Sequence, residues 1–163
     1  SPSVPLGRLA RRAPNIFQRL SRLVPPRVMA AVWRAQWNGW CTARRFQQVG
    51  HCTLGCSQSA RDCIEHYACC PLVVRLSCRF LGLRGVSLES FLCLCTVGDK
   101  ALSLAALATY AVFRATNHFR GKPAPDAKTC ADALEHWCKT GAAGHASLTR
   151  AFDQRWRNPT FRR

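Results

Sequence analysis

Between Cys52 and Pro71 the chain reads Cys-Thr-Leu-Gly-Cys-Ser-Gln-Ser-Ala-Arg-Asp-Cys-Ile-Glu-His-Tyr-Ala-Cys-Cys-Pro, and this stretch constrains the fold more than any other. Cys52 and Cys56 flank Gly55, a hairpin-like spacing that lets two thiolates face one ion. His66 and Cys70 follow as a second pair, four residues apart and therefore close to one face of a helix. Asp62 and Glu65 have the spacing of a capping box that would start this helix. Cys70 is preferred to Cys69 as the fourth ligand, because the residue before a proline is driven out of helical conformation and its side chain can swing toward the ion. Three thiolates and an imidazole suit zinc. Four protein ligands close its tetrahedron, so the site is expected to be structural rather than catalytic. The competing reading is a set of buried thiols, since a chain with eleven cysteines generates Cys/His spacings by chance.

The cysteine count is odd, and adjacent Cys69 and Cys70 suit a disulfide framework poorly. Together with the lack of a secretory leader, this leads us to expect a reducing, intracellular setting, nucleus or cytoplasm. At 163 residues the chain has the size of one ordinary domain. It starts at Ser1 and its one methionine is Met29, so a fragment or processed piece is expected. The apolar run Ala101 to Phe113 is too short to span a bilayer, and no membrane partner is expected.

The formal charge is +16, with no carboxylate before Asp62. Arg8, Arg11, Arg12, Arg19, Arg22, Arg44 and Arg45 are the expected contacts to an anionic partner, foremost the backbone of RNA or DNA. Arginine rather than lysine favours forked phosphate contacts and stacking on bases. A solvated basic face, an acidic protein or an anionic membrane surface would share this charge pattern.

Periodicity predicts an all-α domain. Residues 1 to 24 read as a flexible basic arm, proline-rich to Pro14, with a short helix after Asn15. Residues 25 to 163 read as one helical domain. A helix from Pro26 carries Trp33, Trp37 and Trp40, whose helical spacing points to the core rather than to base-stacking platforms. Thr42 caps a turn over 43 to 49, Pro71 opens the next helix and Ser87 caps Leu88 to Cys95. Gly98-Asp99 starts the long segment to Arg120, the expected central helix. Asp126 caps a helix with Cys130, Leu134, Trp137 and Cys138 inward, and a last one runs from Ala146 to Arg157. Cys93 and Cys95 are expected to fill the core, as are Cys130 and Cys138, despite the nearby His136.

The run Trp37-Asn-Gly-Trp-Cys-Thr-Ala-Arg-Arg-Phe46, then Cys52, Cys56 and Ile64-Glu-His-Tyr67 closing on Cys70-Pro71, resembles the zinc-binding region downstream of reverse transcriptase in non-LTR retroelement polyproteins. The resemblance covers residues 26 to 71, and extends more weakly over Ala101 to Arg120 with Tyr110, Arg114 and Asn117. Relative to the family's commonest form the first pair is one residue wider and the second one residue tighter, and Cys63 and Cys69 are additional. The resemblance implies a module that helps engage template RNA or target DNA beside an upstream reverse transcriptase domain. It implies no catalysis here, in keeping with the lack of a polymerase Asp-Asp pair, a glycine-rich phosphate loop or a nucleophile elbow. Cys63 with His66 is the nearest approach to a catalytic pair, and no third group orients it. The alternative is a metal-free helical interaction module or a remnant of a decayed element, with the charge serving an acidic partner or nothing.

Overall fold

A computed structural model describes residues 6–57, 59–79, 81–83, 86–95 and 98–156, without the side chains of 6–12, 79, 155 and 156. The described chain is all-α. Its helices are α1 (Leu6–Leu23), α2 (Pro26–Gln36), α3 (Ile64–Cys69), α4 (Pro71–Arg79), α5 (Leu88–Phe91), α6 (Asp99–Phe119), α7 (Ala127–Ala142) and α8 (Ala146–Trp156). Among the described residues the only extended pairing is a single antiparallel bridge between His51 and Arg61.

The centre is α6. It is apolar on almost every side from Leu102 to Val112, which leaves no face for water and demands helices all round it. α7 and α2 cover it most extensively, and α1, α4, α5 and α8 complete the shell. The α6–α7 crossing is close because Gly141 has no side chain: a Cβ there would lie 2.7 Å from Leu107 Cδ1 and from Tyr110 Cδ1. α7 begins as its sequence dictates, with Asp126 accepting from the Thr129 N–H at 2.7 Å. At its other end Arg27 donates to the carbonyls of Gly141 and Ala143, satisfying acceptors that a helix C-terminus leaves open.

Trp40 locks this scaffold to the Cys-rich segment. Fully buried, it donates from Nε1 to the Ala31 carbonyl at 3.3 Å and meets the rings of Phe113, Phe91 and Tyr67 at centroid distances of 5.3, 5.7 and 6.1 Å. Burying a side chain of this size stabilises by about 2–3 kcal/mol, and ring pairs in tilted geometry add to that.

Two expectations for the first helices need correction. α1 starts at Leu6 rather than after Asn15, and Pro14 lies inside it. The spacing of Leu6, Leu9, Ala10, Ala13, Ile16, Phe17 and Leu20 carries a helical stripe through the proline, whose ring costs one backbone hydrogen bond but leaves the stripe intact. Of the expected arm, residues 1–5 lie outside the described residues and the rest is helical from Leu6. Of the three tryptophans assigned to the core, only Trp40 is there; Trp33 is 49 % and Trp37 71 % exposed. α2 buries Val28, Ala31, Val32 and Ala35, and Trp33 and Trp37 stand on the flank of that stripe, with Phe17 of α1 against Trp33 at 4.8 Å.

Candidate metal centre

The chain enters the site through a loop that folds back on itself. Cys52 N–H donates to the Ala60 carbonyl at 2.8 Å, Asp62 N–H to Gly50 at 3.0 Å, and Gly55 N–H to Cys52 at 3.0 Å, closing a tight turn between the first two cysteines. Gly55 makes this turn possible twice over. Its φ is +76°, and a Cβ would lie 2.5 Å from the Pro125 carbonyl oxygen in the α6–α7 connection. α3 brings His66 back toward the loop, and Cys70 ends it with φ −56° and ψ 127°, outside helical conformation, as its position before Pro71 requires.

Three thiol sulfurs and one imidazole nitrogen thus meet. The ligand atoms of Cys52, Cys56, His66 and Cys70 all lie within 4.8 Å of one another, with Cys56 Sγ 3.2 Å from His66 Nε2. A zinc–sulfur bond of about 2.3 Å gives a tetrahedron with sulfur–sulfur edges of about 3.8 Å, so small side-chain rotations suffice to close the cluster on an ion. Cys52 and Cys70 are buried and Cys56 and His66 half-buried, so the group is enclosed on its inner side. Cys69 is exposed, its Sγ turned back to the carbonyls of Glu65 and His66.

The thiols are electrostatically linked. A hydrogen bond from Cys70 draws the Cys52 thiol down to about 5, while burial pushes Cys56 up to about 11. Cys70 is also displaced upward, first by its hydrogen bond to the Cys52 thiolate and then by burial. Without a cation the cluster accommodates one thiolate; a divalent ion would offset the burial and the hydrogen bonding that keep the other two protonated. A metal therefore fits the donor set.

Asp62 does not cap α3. That position belongs to Cys63, whose Sγ accepts from the His66 N–H at 3.4 Å, while Glu65 pairs with Arg44 at 2.7 Å. Asp62 is instead 3 % exposed and holds the loop together. It accepts from Ala43 N–H at 2.8 Å, from the Tyr67 hydroxyl at 2.5 Å and from Arg120 Nη1 at 3.2 Å. The Tyr67 hydroxyl also lies 2.8 Å from Thr53 Oγ1, beside Cys52. Burial and the bond to Asp62 raise the Tyr67 phenol far above its ordinary range, so it stays a donor. Sequence reasoning missed Thr53, Tyr67 and Arg120, yet one signal was there: Asp62 is the first carboxylate in the chain.

The expected phosphate contacts are dispersed. Arg8, Arg11 and Arg12 lie on α1 with side chains outside the described residues. Arg19 pairs with Asp99 at 2.6 Å, Arg45 donates to the Gly39 carbonyl at 3.0 Å, and Arg22 is exposed. Arg44 and Arg45 stand on a single 3₁₀ turn, Arg44–Phe46, shorter than the expected turn over 43 to 49 and held by Thr42 Oγ1 accepting from Arg45 N–H at 3.3 Å. Cys93, Cys130 and Cys138 are buried, burial pushes each thiol up to about 12, and none of them belongs to a ligand group. No disulfide links any described cysteine, and no described helix is long and apolar enough to cross a membrane. Comparison with known protein families, with curated proteins and with solved structures returns no match.

Proposed function

We propose that the chain is a non-catalytic module in which a structural zinc ion at Cys52, Cys56, His66 and Cys70 fixes the loop, and surface arginines hold RNA or DNA by its phosphates. The observation that carries this reading is the meeting of three sulfurs and an imidazole nitrogen within 4.8 Å, a donor set soft enough for zinc and complete enough to leave no position for a reacting water. The loop is joined to the arginines through the backbone contacts of Asp62, beside the Glu65–Arg44 pair. Asp62 binds Ala43 N–H with its carboxylate and Arg44 N–H with its carbonyl at 3.3 Å, so ordering the loop orders the turn that presents Arg44 and Arg45. The ion pairs of Arg19 and Arg44 are solvent-exposed and worth little, and a phosphate can take the carboxylate's place. With the resemblance over residues 26 to 71, the natural setting is beside the reverse transcriptase domain of a non-LTR retroelement polyprotein.

Elemental mass spectrometry and salt-dependent binding test both halves. One zinc per chain is expected. Affinity for labelled RNA and duplex DNA should fall steeply with salt and vary little with sequence. Deleting residues 1 to 12 removes three arginines and spares Ile16 and Leu20 of the core, so the slope of log affinity against log salt should become shallower by about 2–3. A metal-free chain indifferent to chelators would leave a helical interaction module with buried thiols, and salt-independent binding would overturn the phosphate reading.

A further inference from the structure

On the face where α2, α6 and α7 meet lies a groove of about 450 Å³ lined by Arg34, Phe113, Arg114, Asn117, His118 and Trp137. Its chemistry differs from that of the arginines assigned above. Two guanidinium groups are laid on aromatic rings, Arg34 Cζ 5.6 Å from the Phe113 centroid and Arg114 Cζ 4.4 Å from that of Trp137. Phe113 and Trp137 are half-buried and packed against the core, which fixes the rings, while Arg34 and Arg114 are exposed. The remaining lining residues, Asn117 and His118, are exposed and offer hydrogen-bonding groups, and no carboxylate is among the six. Trp33 of α2 and Trp37 just after it, near Arg34 in sequence, are exposed as well.

We propose that this groove takes up unpaired bases of single-stranded nucleic acid, stacking them against the Arg34–Phe113 and Arg114–Trp137 pairs. The proposal rests on the nucleic-acid reading above and adds to it a place and a strand preference. Planar cations on fixed rings present flat, positively charged surfaces at low entropic cost, and every nucleobase offers a π face to them. Bases inside a duplex are stacked on each other and withhold that face, so the groove discriminates by strandedness rather than by sequence. An acidic peptide would be served equally well by lysines, and it has no use for the rings. The Asn117 amide adds a donor and an acceptor for a base edge. Elsewhere the arginines of α1 and of the Arg44–Phe46 turn would hold phosphates, which both kinds of strand possess.

Anisotropy with the full chain separates these contributions. The probes are a labelled 12-nucleotide oligouridylate, a duplex of equal length, inorganic polyphosphate as a competitor with phosphates but no bases, and polyglutamate as an acidic-peptide competitor. Arg34→Lys and Arg114→Lys keep the charge but lose the planar group, and each should weaken oligouridylate binding about tenfold while leaving duplex and polyphosphate binding unchanged. Trp137→Leu should do the same; a thermal melt checks its folding, and the lysine variants decide the matter if it fails to fold. Lysine variants that bind oligouridylate like the wild type, or that lose polyphosphate equally, would overturn the groove and leave phosphate binding standing. Lysine variants that bind oligouridylate like the wild type, with polyglutamate displacing it equally from both, would mark an acidic-protein surface instead. A wild-type chain that binds neither strand nor polyphosphate would refute the nucleic-acid reading itself, and the groove with it.

Discussion

Replacing Cys70 by serine should weaken metal binding by orders of magnitude, whereas the same change at its neighbour Cys69 should leave it nearly intact. The two positions are adjacent in sequence but opposite in circumstance. Cys70 is fully buried, lies outside helical conformation before Pro71, and points its sulfur at Cys52; Cys69 is still helical, exposed, and bonded to its own helix. Structural zinc in small peptide sites contributes about 10–16 kcal/mol of apparent binding free energy, roughly 2.5–4 kcal/mol per ligand if shared evenly among four. A serine hydroxyl is a poor substitute for a thiolate, so Cys70→Ser should lower zinc affinity by a factor on the order of 10²–10³. Cys69→Ser alters an exposed side chain with no ligand role, and its effect on stability should stay within about 0.5 kcal/mol. Competition with a chromogenic chelator gives the affinities, and native mass spectrometry the stoichiometry. Loss of zinc from Cys69→Ser with retention in Cys70→Ser would refute the assignment of the fourth ligand, and with it the argument from the residue before proline.

Gly55→Ala forces a side chain into left-handed backbone and against the Pro125 carbonyl. It should cost about 1–3 kcal/mol in urea denaturation and weaken metal binding, and unchanged stability would contradict the close approach. Protons should compete with the metal in a defined number. At neutral pH Cys52, drawn down to about 5, has already lost its proton, while Cys56, pushed up to about 11, and Cys70, also displaced upward, retain theirs. Metal binding should therefore release about two thiol protons, log affinity should rise by about two per pH unit between pH 7 and 8, and acidification should expel the ion. Calorimetry in buffers of different ionisation enthalpy counts the protons, and a release near zero would contradict the thiol assignments.

The convergence of Cys52, Cys56, His66 and Cys70 was legible in sequence because its geometry is local. Each ligand pair spans a single turn, Gly55 and Pro71 set the backbone where the pairs need it, and no distant contact is required to bring Cys70 rather than Cys69 inward. The central position of α6 was legible for a similar reason, since a helix apolar on all sides has nowhere else to go. What the sequence hid depends on partners far along the chain. Periodicity places Trp33, Trp37 and Trp40 near one another but does not say which flank a neighbouring helix covers, so two surface tryptophans were assigned to the interior. Asp62 has the spacing of a cap, and only the arrival of Arg120 from 58 residues away, with Tyr67 and Ala43, makes a buried hub of it. Residues 1 to 14 were read as an extended arm because of their prolines, yet a proline breaks a helix only when nothing else sustains it, and the apolar stripe sustains α1 through Pro14.

The distance between Asp62 and Arg120 also bears on the order in which the molecule assembles. An ion bound at Cys52 and Cys70 closes a short stretch of chain, whereas the Asp62–Arg120 pair and the Gly55–Pro125 approach close loops several times longer. Loop-closure entropy rises with length, so a metal held there would gather its ligands before the helices have found one another, and the knot it tied would offer Asp62 as a ready anchor for the end of α6. With zinc as the proposed ion, its concentration should act on the folding arm of the kinetics, and a folding rate indifferent to zinc would place closure after the helices have packed.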